Sequence, residues 1–221
     1  MQLTGARRNA SGPDLDPKIV DTLRGIPVAL LSDALHRSTG SVGIRPYHSP
    51  APMAGRALTV RTRGGDNVAV LRAFDQCRPG DVMVVDAGGH EQNAVVGGIM
   101  TFYMASIGMA GFVIDGAIRD VAEIGARTFP VYARAVNHRG PYKDGPGEIN
   151  VPVCIGGMVV NPGDIVVGDQ DGLLAFAPAE AGVVIEKALA QQRNEELTMQ
   201  AIREGRWDLS FVDALEKRIV N

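Results

Sequence analysis

Arg119-Asp120, followed three residues later by Glu123, sets one guanidinium beside two carboxylates. Such a group can hold a divalent cation through oxygen ligands and an anionic substrate through a forked, permanently charged donor, side by side. Asp120 and Glu123 share a face if the segment is helical. A plainer reading is that a helix N-terminus favours acids, with Arg119 in a surface ion pair. The residue types alone leave both readings open. Upstream, Gly97-Gly98-Ile99-Met100 offers a second chemical feature. Two adjacent glycines cost a helix interior roughly 2 kcal/mol relative to alanines, so the pair belongs at a helix start. Bare amides there can receive a carboxylate or phosphate. Close helix packing would also explain the glycines. Their spacing matches neither a dinucleotide fingerprint nor a Walker loop, so no nucleotide cofactor is indicated.

The elements that must position these residues follow from the pattern around them. Gly111-Phe112-Val113-Ile114 is a short apolar run of the kind that forms a buried parallel strand. Asp115-Gly116 breaks it, and Val121, Ile124 and Gly125 predict a helix just beyond. Arg119, Asp120 and Glu123 therefore fall at a strand-to-helix junction, the crevice in which open α/β sheets bind small ligands. Earlier in the chain, Asp16-Pro17 starts a helix with Asp as N-cap, and a second helix, carrying Asp33, follows Pro27. Residues 40–53 read as a loop, and Arg56 to Arg63 alternates as a strand with one wet face. Asp66 caps a helix carrying Val68, Leu71 and Phe74. Val82 to Val85 is a buried strand ending at Asp86-Ala87-Gly88-Gly89-His90, and the pattern from Asn93 to Ile107 is helical.

Beyond the junction come a strand at 130–133, a charged glycine- and proline-rich loop from His138 to Asn150, and short strands at 151–155, 157–160 and 165–167. Asp169-Gln170-Asp171-Gly172 reads as a hairpin turn, because the glycine and acid spacing of an EF-hand is missing. Ala179 to Arg203 forms a long amphipathic helix. The alternating first half and strand-rich second half argue for the α/β class: a layered domain with mixed sheets and helices outside. The division is an N-terminal arm at 1–13, loose or lying on a neighbour, a single domain at 14–205, and a helical C-terminal extension at 206–221. Within that extension Trp207 to Val220 is a candidate subunit contact.

Composition narrows the function classes. At 221 residues with 45% apolar content the chain can bury a real core without a staple. A net charge of −3, with Lys and Arg scattered, provides no footprint for nucleic acid. The two cysteines, Cys77 and Cys154, lack metal-type spacing and suit a reducing cytoplasm. No apolar run approaches the roughly 18 residues of a membrane span, and no charged-then-apolar leader opens the sequence, so a cytoplasmic location is expected.

Three segments together make the chain resemble the RraA-like proteins over roughly residues 20–205. They are Gly97-Gly98-Ile99-Met100, Gly111 through Asp120, and Asn161-Pro162-Gly163-Asp164-Ile165-Val166-Val167-Gly168-Asp169. The most specific feature is the twenty residues between Gly98 and Arg119-Asp120, followed by Glu123. That family includes class II pyruvate aldolases acting on 4-hydroxy-4-methyl-2-oxoglutarate and 4-carboxy-4-hydroxy-2-oxoadipate. The resemblance implies an α-β-β-α layering of the swivelling β/β/α type and a homotrimer or hexamer with sites between subunits. It also implies a divalent metal, Mg²⁺ or Mn²⁺, held by Asp120. Arg119 is then the clamp for a small 2-oxo acid, and the amides of Gly97, Gly98, Ile99 and Met100 are a cradle for its carboxylate.

Many of the family's aldolases carry Asp where this chain has Gly98, and that acid helps organise the metal's water shell. The resemblance implies that Glu123 takes over, with Glu195 on a neighbour's long helix as a further acid. The expected reaction is cleavage of a 4-hydroxy-2-oxo acid to pyruvate, with oxaloacetate decarboxylation as a related activity. Both must stabilise a pyruvate enolate, which a Lewis-acidic cation does. No Schiff-base lysine is evident among Lys18, Lys143, Lys187 and Lys217. The choice of second product falls to loop side chains such as His138, Tyr142 and Lys143. The alternative is a non-catalytic binding protein, since the family's namesake inhibits a ribonuclease by protein contact.

Overall fold

The computed structural model describes residues 3–213 and Glu216. Helix α1 (Pro17–Arg24) starts as the sequence predicts: Asp16 accepts the Lys18 N–H at 2.9 Å, and Pro17 occupies the first turn, where a missing N–H costs nothing. Helix α2 (Val28–Ala34) follows Pro27, and its Asp33 pairs with Arg37 at 2.7 Å on the surface. Then come β1 (Arg45–Pro46), β2 (Met53–Thr62), α3 (Val68–Ala73), β3 (Asp81–Val96) and α4 (Gly98–Ser106). The next are β4 (Gly111–Ile118), α5 (Val121–Gly125), β5 (Val131–Val136), β6 (Gly147–Ile149), β7 (Val153–Ile155) and β8 (Met158–Val160). The last are β9 (Ile165–Asp169), β10 (Gly172–Phe176) and α6 (Ala181–Arg203).

One mixed sheet runs β1-β5-β4-β3-β2-β9-β10, with β6 also paired to β2. The neighbours β2, β3, β4 and β5 are parallel, whereas β1, β6, β9 and β10 pair antiparallel. Alternate residues of the central strands feed two cores, as the two-residue period of a strand demands. Val82, Val84 and Val113 pack towards α1, α2, α6 and the separate β7–β8 hairpin, while Met83, Val85, Phe112 and Ile114 pack towards α3, α4 and α5. Each such side chain contributes about 1.5–3 kcal/mol by leaving water. The fold is therefore α/β with a mixed sheet, as expected, and the hairpin supplies the second β layer.

Several elements differ from the sequence reading, each for a tertiary reason. Strand β2 starts at Met53, because Met53 to Arg56 pair with β9, and it has no wet face. Its polar residues are satisfied inside: Arg56 makes two hydrogen bonds of 2.8 Å to Asp81, and the Thr59 hydroxyl donates to the Val151 carbonyl at 2.6 Å. Residues 93–96 are strand rather than helix, since β3 continues past the Gly88-Gly89 irregularity to pair Ala94 with Ala117 and Val96 with Ile118. The loop at 40–53 contains the short strand β1. The described part of the N-terminal segment is not a loose tail but lies against this chain's own strands: Arg7 ion-pairs with the buried Glu148, and the Asn9 N–H donates to the Ile149 carbonyl at 3.1 Å.

In the C-terminal extension residues 206–210 are a non-helical connection rather than the start of the expected helix, Phe211 to Asp213 and Glu216 are helical, and residues 214, 215 and 217–221, with Lys217 and Val220, lie outside the described residues. Among the described residues no helix is long and apolar enough to cross a membrane.

Candidate active site

The parallel pairing of β3 with β4 lays Val96 beside Ile118, so the two strand exits face each other. The Arg119 N–H donates to the Val96 carbonyl at 3.0 Å and ties them together. Asp120 then turns the chain into α5 with φ 61° and ψ 35°, a left-handed conformation that Asp tolerates better than most residues. Its carboxylate does not cap α5. Instead Oδ2 accepts the Gly98 N–H at 2.8 Å, reaching across to the start of α4. Arg119 Nε stands 3.8 Å from the same oxygen, a loose pair with both side chains half-exposed.

The double glycine makes room for these groups. A Cβ at Gly97 would fall 2.6 Å from Asp120 Oδ2 and 3.1 Å from Arg119 Cγ, and one at Gly98 would fall 2.9 Å from Glu123 Cδ, with Oε2 nearer still. The Glu123 carboxylate thus occupies the space a side chain at 98 would fill. Arg127 Nη2 donates to Glu123 Oε1 at 2.6 Å while its guanidinium lies 4.9 Å over the Phe102 ring, fastening Glu123 to α4. Gly97 and Gly98 do open α4, as the sequence indicates, but close approach by three side chains is what requires them. The Gly98 amide is spent on Asp120, and the Met100 N–H returns to the Gly97 carbonyl at 3.1 Å. Of the four cradle amides, those of Gly97 and Ile99 have no partner among the described residues.

Gly97, Met100, Arg119 and Asp120 line a cleft of about 210 Å³ together with Asn67 and Lys143, whereas Glu123 lies outside its lining, against Gly98. The far wall of the cleft is the loop from His138 onward. Asp66, fully buried, holds that loop by accepting the N–H groups of Asp144 at 2.7 Å and Gly145 at 2.9 Å while capping Val68 at 2.9 Å. Burial pushes the Asp66 carboxyl up, but the three amides outweigh it and leave its pKa below the usual range. The Asn67 N–H adds a bond to the Tyr142 carbonyl at 3.2 Å. Arg119 lies against this loop as well, since a Cβ at Gly140 would come within 2.9 Å of its Nη1.

Fold and cleft therefore bring Arg119, Asp120, Glu123 and the turn from Gly97 to Met100 together. Glu195, expected from a neighbouring copy rather than from the same chain, lies apart from them on the exposed outer half of α6, beside Gln191 at 3.2 Å. Among the described residues there is no cluster of three or more His, Cys, Asp or Glu that could hold a metal ion; Asp120 and Glu123 are the carboxylates that meet at the start of α4. Sequence reasoning did not single out Asn67 or Arg127. Asp66-Asn67 looks like an ordinary helix start, and Arg127 sits in a loop with no motif of its own.

The family model described as RraA-like, Aldolase/RraA, matches residues 28–175. A Halalkalibacterium halodurans protein provisionally named 4-hydroxy-4-methyl-2-oxoglutarate aldolase is 38% identical over 187 residues, spanning 84% of this chain and 89% of that one. A Thermus thermophilus protein named 4-hydroxy-4-methyl-2-oxoglutarate aldolase is 35% identical over 139 residues, spanning 63% and 84%. The crystal structure of Streptomyces coelicolor RraAS2, described as an unusual member of the RNase ES inhibitor RraA protein family, superposes with a TM-score of 0.78. That match has 26% identity over 85% of this chain and 98% of that one. By the extent of the family match and of these relatives, the chain belongs to the RraA-like, Aldolase/RraA family.

Proposed function

We propose that this chain is a carbon–carbon lyase, a divalent-metal-dependent aldolase that cleaves a 4-hydroxy-2-oxo acid to pyruvate and a carbonyl fragment, with oxaloacetate decarboxylation as a related activity. The observation that carries this reading is the convergence of Arg119, Asp120 and Glu123 on the glycine-started turn of α4, beside a cleft sized for a small acid. Relatives named as aldolases support the reaction class.

The donor set fits Mg²⁺ or Mn²⁺, which accept one or two carboxylates and complete their shells with water and substrate oxygens. Asp120 and Glu123 would hold the ion, and Gly98 leaves the Glu123 carboxylate room beside the Asp120-bound turn. When bound, the cation supplies Lewis-acid stabilisation of the charge that develops on the 2-oxo oxygen. Arg119 binds and orients the keto acid. Its pairing to Asp120 is loose enough at 3.8 Å that little is lost when substrate replaces it. The free Ile99 N–H, in the first turn of α4, receives the substrate carboxylate and is aided by the helix dipole. The loop pinned by Asp66 brings Lys143 to the cleft wall and keeps it there.

Ile99 is 87% exposed beside the cleft, and the outer half of α6 is exposed as well. Both suit contacts between copies in a trimer or hexamer, with Glu195 delivered to a neighbour's site.

Pyruvate release over a panel of 4-hydroxy-2-oxo acids and oxaloacetate, with and without EDTA, tests the reading. Arg119→Ala and chelation should each abolish it; full activity in either overturns it. A second reading, a non-catalytic regulator of a ribonuclease, draws on the lack of a three-acid cluster among the described residues and on the likeness to RraAS2, placed in an RNase ES inhibitor family. A pull-down that recovers no ribonuclease would count against it.

A further inference from the structure

Asn67 holds the N-cap position of α3, where an Asn side-chain oxygen ordinarily accepts an amide of the first helical turn. Here it makes no cap bond, and Asp66 takes the Val68 N–H in its place. The Asn67 side chain turns instead to the floor of the cleft. Its Nδ2 reaches the Val95 carbonyl at 3.3 Å and Met100 Sδ at 3.6 Å, while Oδ1 has no hydrogen-bond partner. The residue is only 4% exposed, yet it lines the cleft with Arg119 and Asp120. A buried amide oxygen without a donor has given up its hydrogen bond to water with no replacement, which is destabilising. That cost disappears if a ligand supplies the donor.

A 4-hydroxy-2-oxo acid has few donors to give. At neutral pH its carboxylates and ketone only accept, which leaves the 4-hydroxyl. We propose that Asn67 accepts a hydrogen bond from the substrate's 4-hydroxyl, and that it is the residue by which this cleft tells hydroxylated 2-oxo acids from those lacking the hydroxyl. The assignment rests on the lyase reading above. Oδ1 is buried and unpartnered on a residue that lines the cleft, and χ2 is a broad torsion opposed here only by the two long Nδ2 contacts, so the amide is free to turn its oxygen to a ligand.

During cleavage the hydroxyl proton leaves for a base, the C4–O bond becomes a carbonyl, and the C3–C4 pair becomes the pyruvate enolate, which then takes a proton at C3. Asn67 is no base, so its bond belongs to the bound substrate and is released as the hydroxyl turns to give up its proton. Its loss must therefore appear in KM and leave kcat unchanged or raised.

Asn67→Ala and Asn67→Leu are compared with wild type in two assays on the metal-loaded protein: cleavage of 4-hydroxy-4-methyl-2-oxoglutarate, and deuterium exchange into the methyl group of pyruvate, which has no hydroxyl. The expected result is a KM for cleavage raised roughly 3- to 10-fold, with kcat and the exchange kinetics held. A wild-type KM in both variants would mean that Oδ1 meets only an ordered water, and overturns the assignment. A parallel loss of cleavage and exchange would mean a purely structural role, and overturns it too. Wild-type protein that neither cleaves nor exchanges overturns the lyase reading and this assignment together.

Discussion

Gly98→Ala sets two physical effects against each other and is expected to separate stability from activity. A Cβ at 98 would lie 2.9 Å from Glu123 Cδ, where ordinary contact begins at 3.4 Å, and Oε2 is closer still. Glu123 is the far end of a flexible, half-exposed side chain, so it gives way by about 1 Å and the backbone does not. Folding loses at most the Glu123–Arg127 pair, worth about 0–1 kcal/mol at such exposure, and gains less than the roughly 1 kcal/mol of an interior Gly-to-Ala change, because residue 98 is the first of its helix. The two nearly cancel, so Tm should stay within about 4 °C of wild type. Activity has no such compensation, because a misplacement of about 1 Å at a reacting centre can cost up to roughly 100-fold. Calorimetry and kcat/KM for pyruvate release on the same preparation read both quantities. Undiminished kcat/KM would show that the place of Glu123 over Gly98 is immaterial, and a Tm loss well beyond that window would show that the clash reaches the backbone.

Three further outcomes follow from groups outside the turn. The Arg7 hydrogen bond holds the Glu148 carboxyl down at about 2 against burial, with help from the Gly5 amide and Arg61. A depressed carboxyl stabilises the fold above its unfolded pKa near 4.5 and loses that contribution as pH falls towards 2. Arg7→Ala should therefore move acid unfolding to higher pH in urea titrations at pH 7 and 3.5, and an unmoved acid limb would refute the coupling. Asp66→Ala leaves three N–H donors without their acceptor and should cost about 2–4 kcal/mol in urea denaturation; a change below about 0.5 kcal/mol would mean the loop is held by other bonds. Burial, with Asp81 and Asp75 nearby, pushes the Cys77 thiol up to about 12, whereas Cys154 is exposed. Native protein should show one thiol reactive towards a disulfide reagent and none after Cys154→Ser, and a second fast thiol would contradict the burial.

The sequence by itself determined the class of fold and the chemistry gathered at one junction. Apolar runs such as Gly111 to Ile114 report burial on both faces, and Asp16-Pro17 and Gly97-Gly98 mark helix starts through backbone preferences that act within a few residues. Local periodicity reaches no further. It makes 93–96 look helical, because only the pairing of Val96 with Ile118 tells strand from helix there, and it gives Arg56 a wet face that Asp81 in fact covers. Tertiary structure alone decided why position 98 must be glycine. Residues 98 and 123 meet because parallel strands β3 and β4 end side by side, a juxtaposition set by hydrogen-bond register across the sheet. The orphaned oxygen of Asn67 was decided in the same way, since an unmade hydrogen bond is visible only when every neighbour is in place.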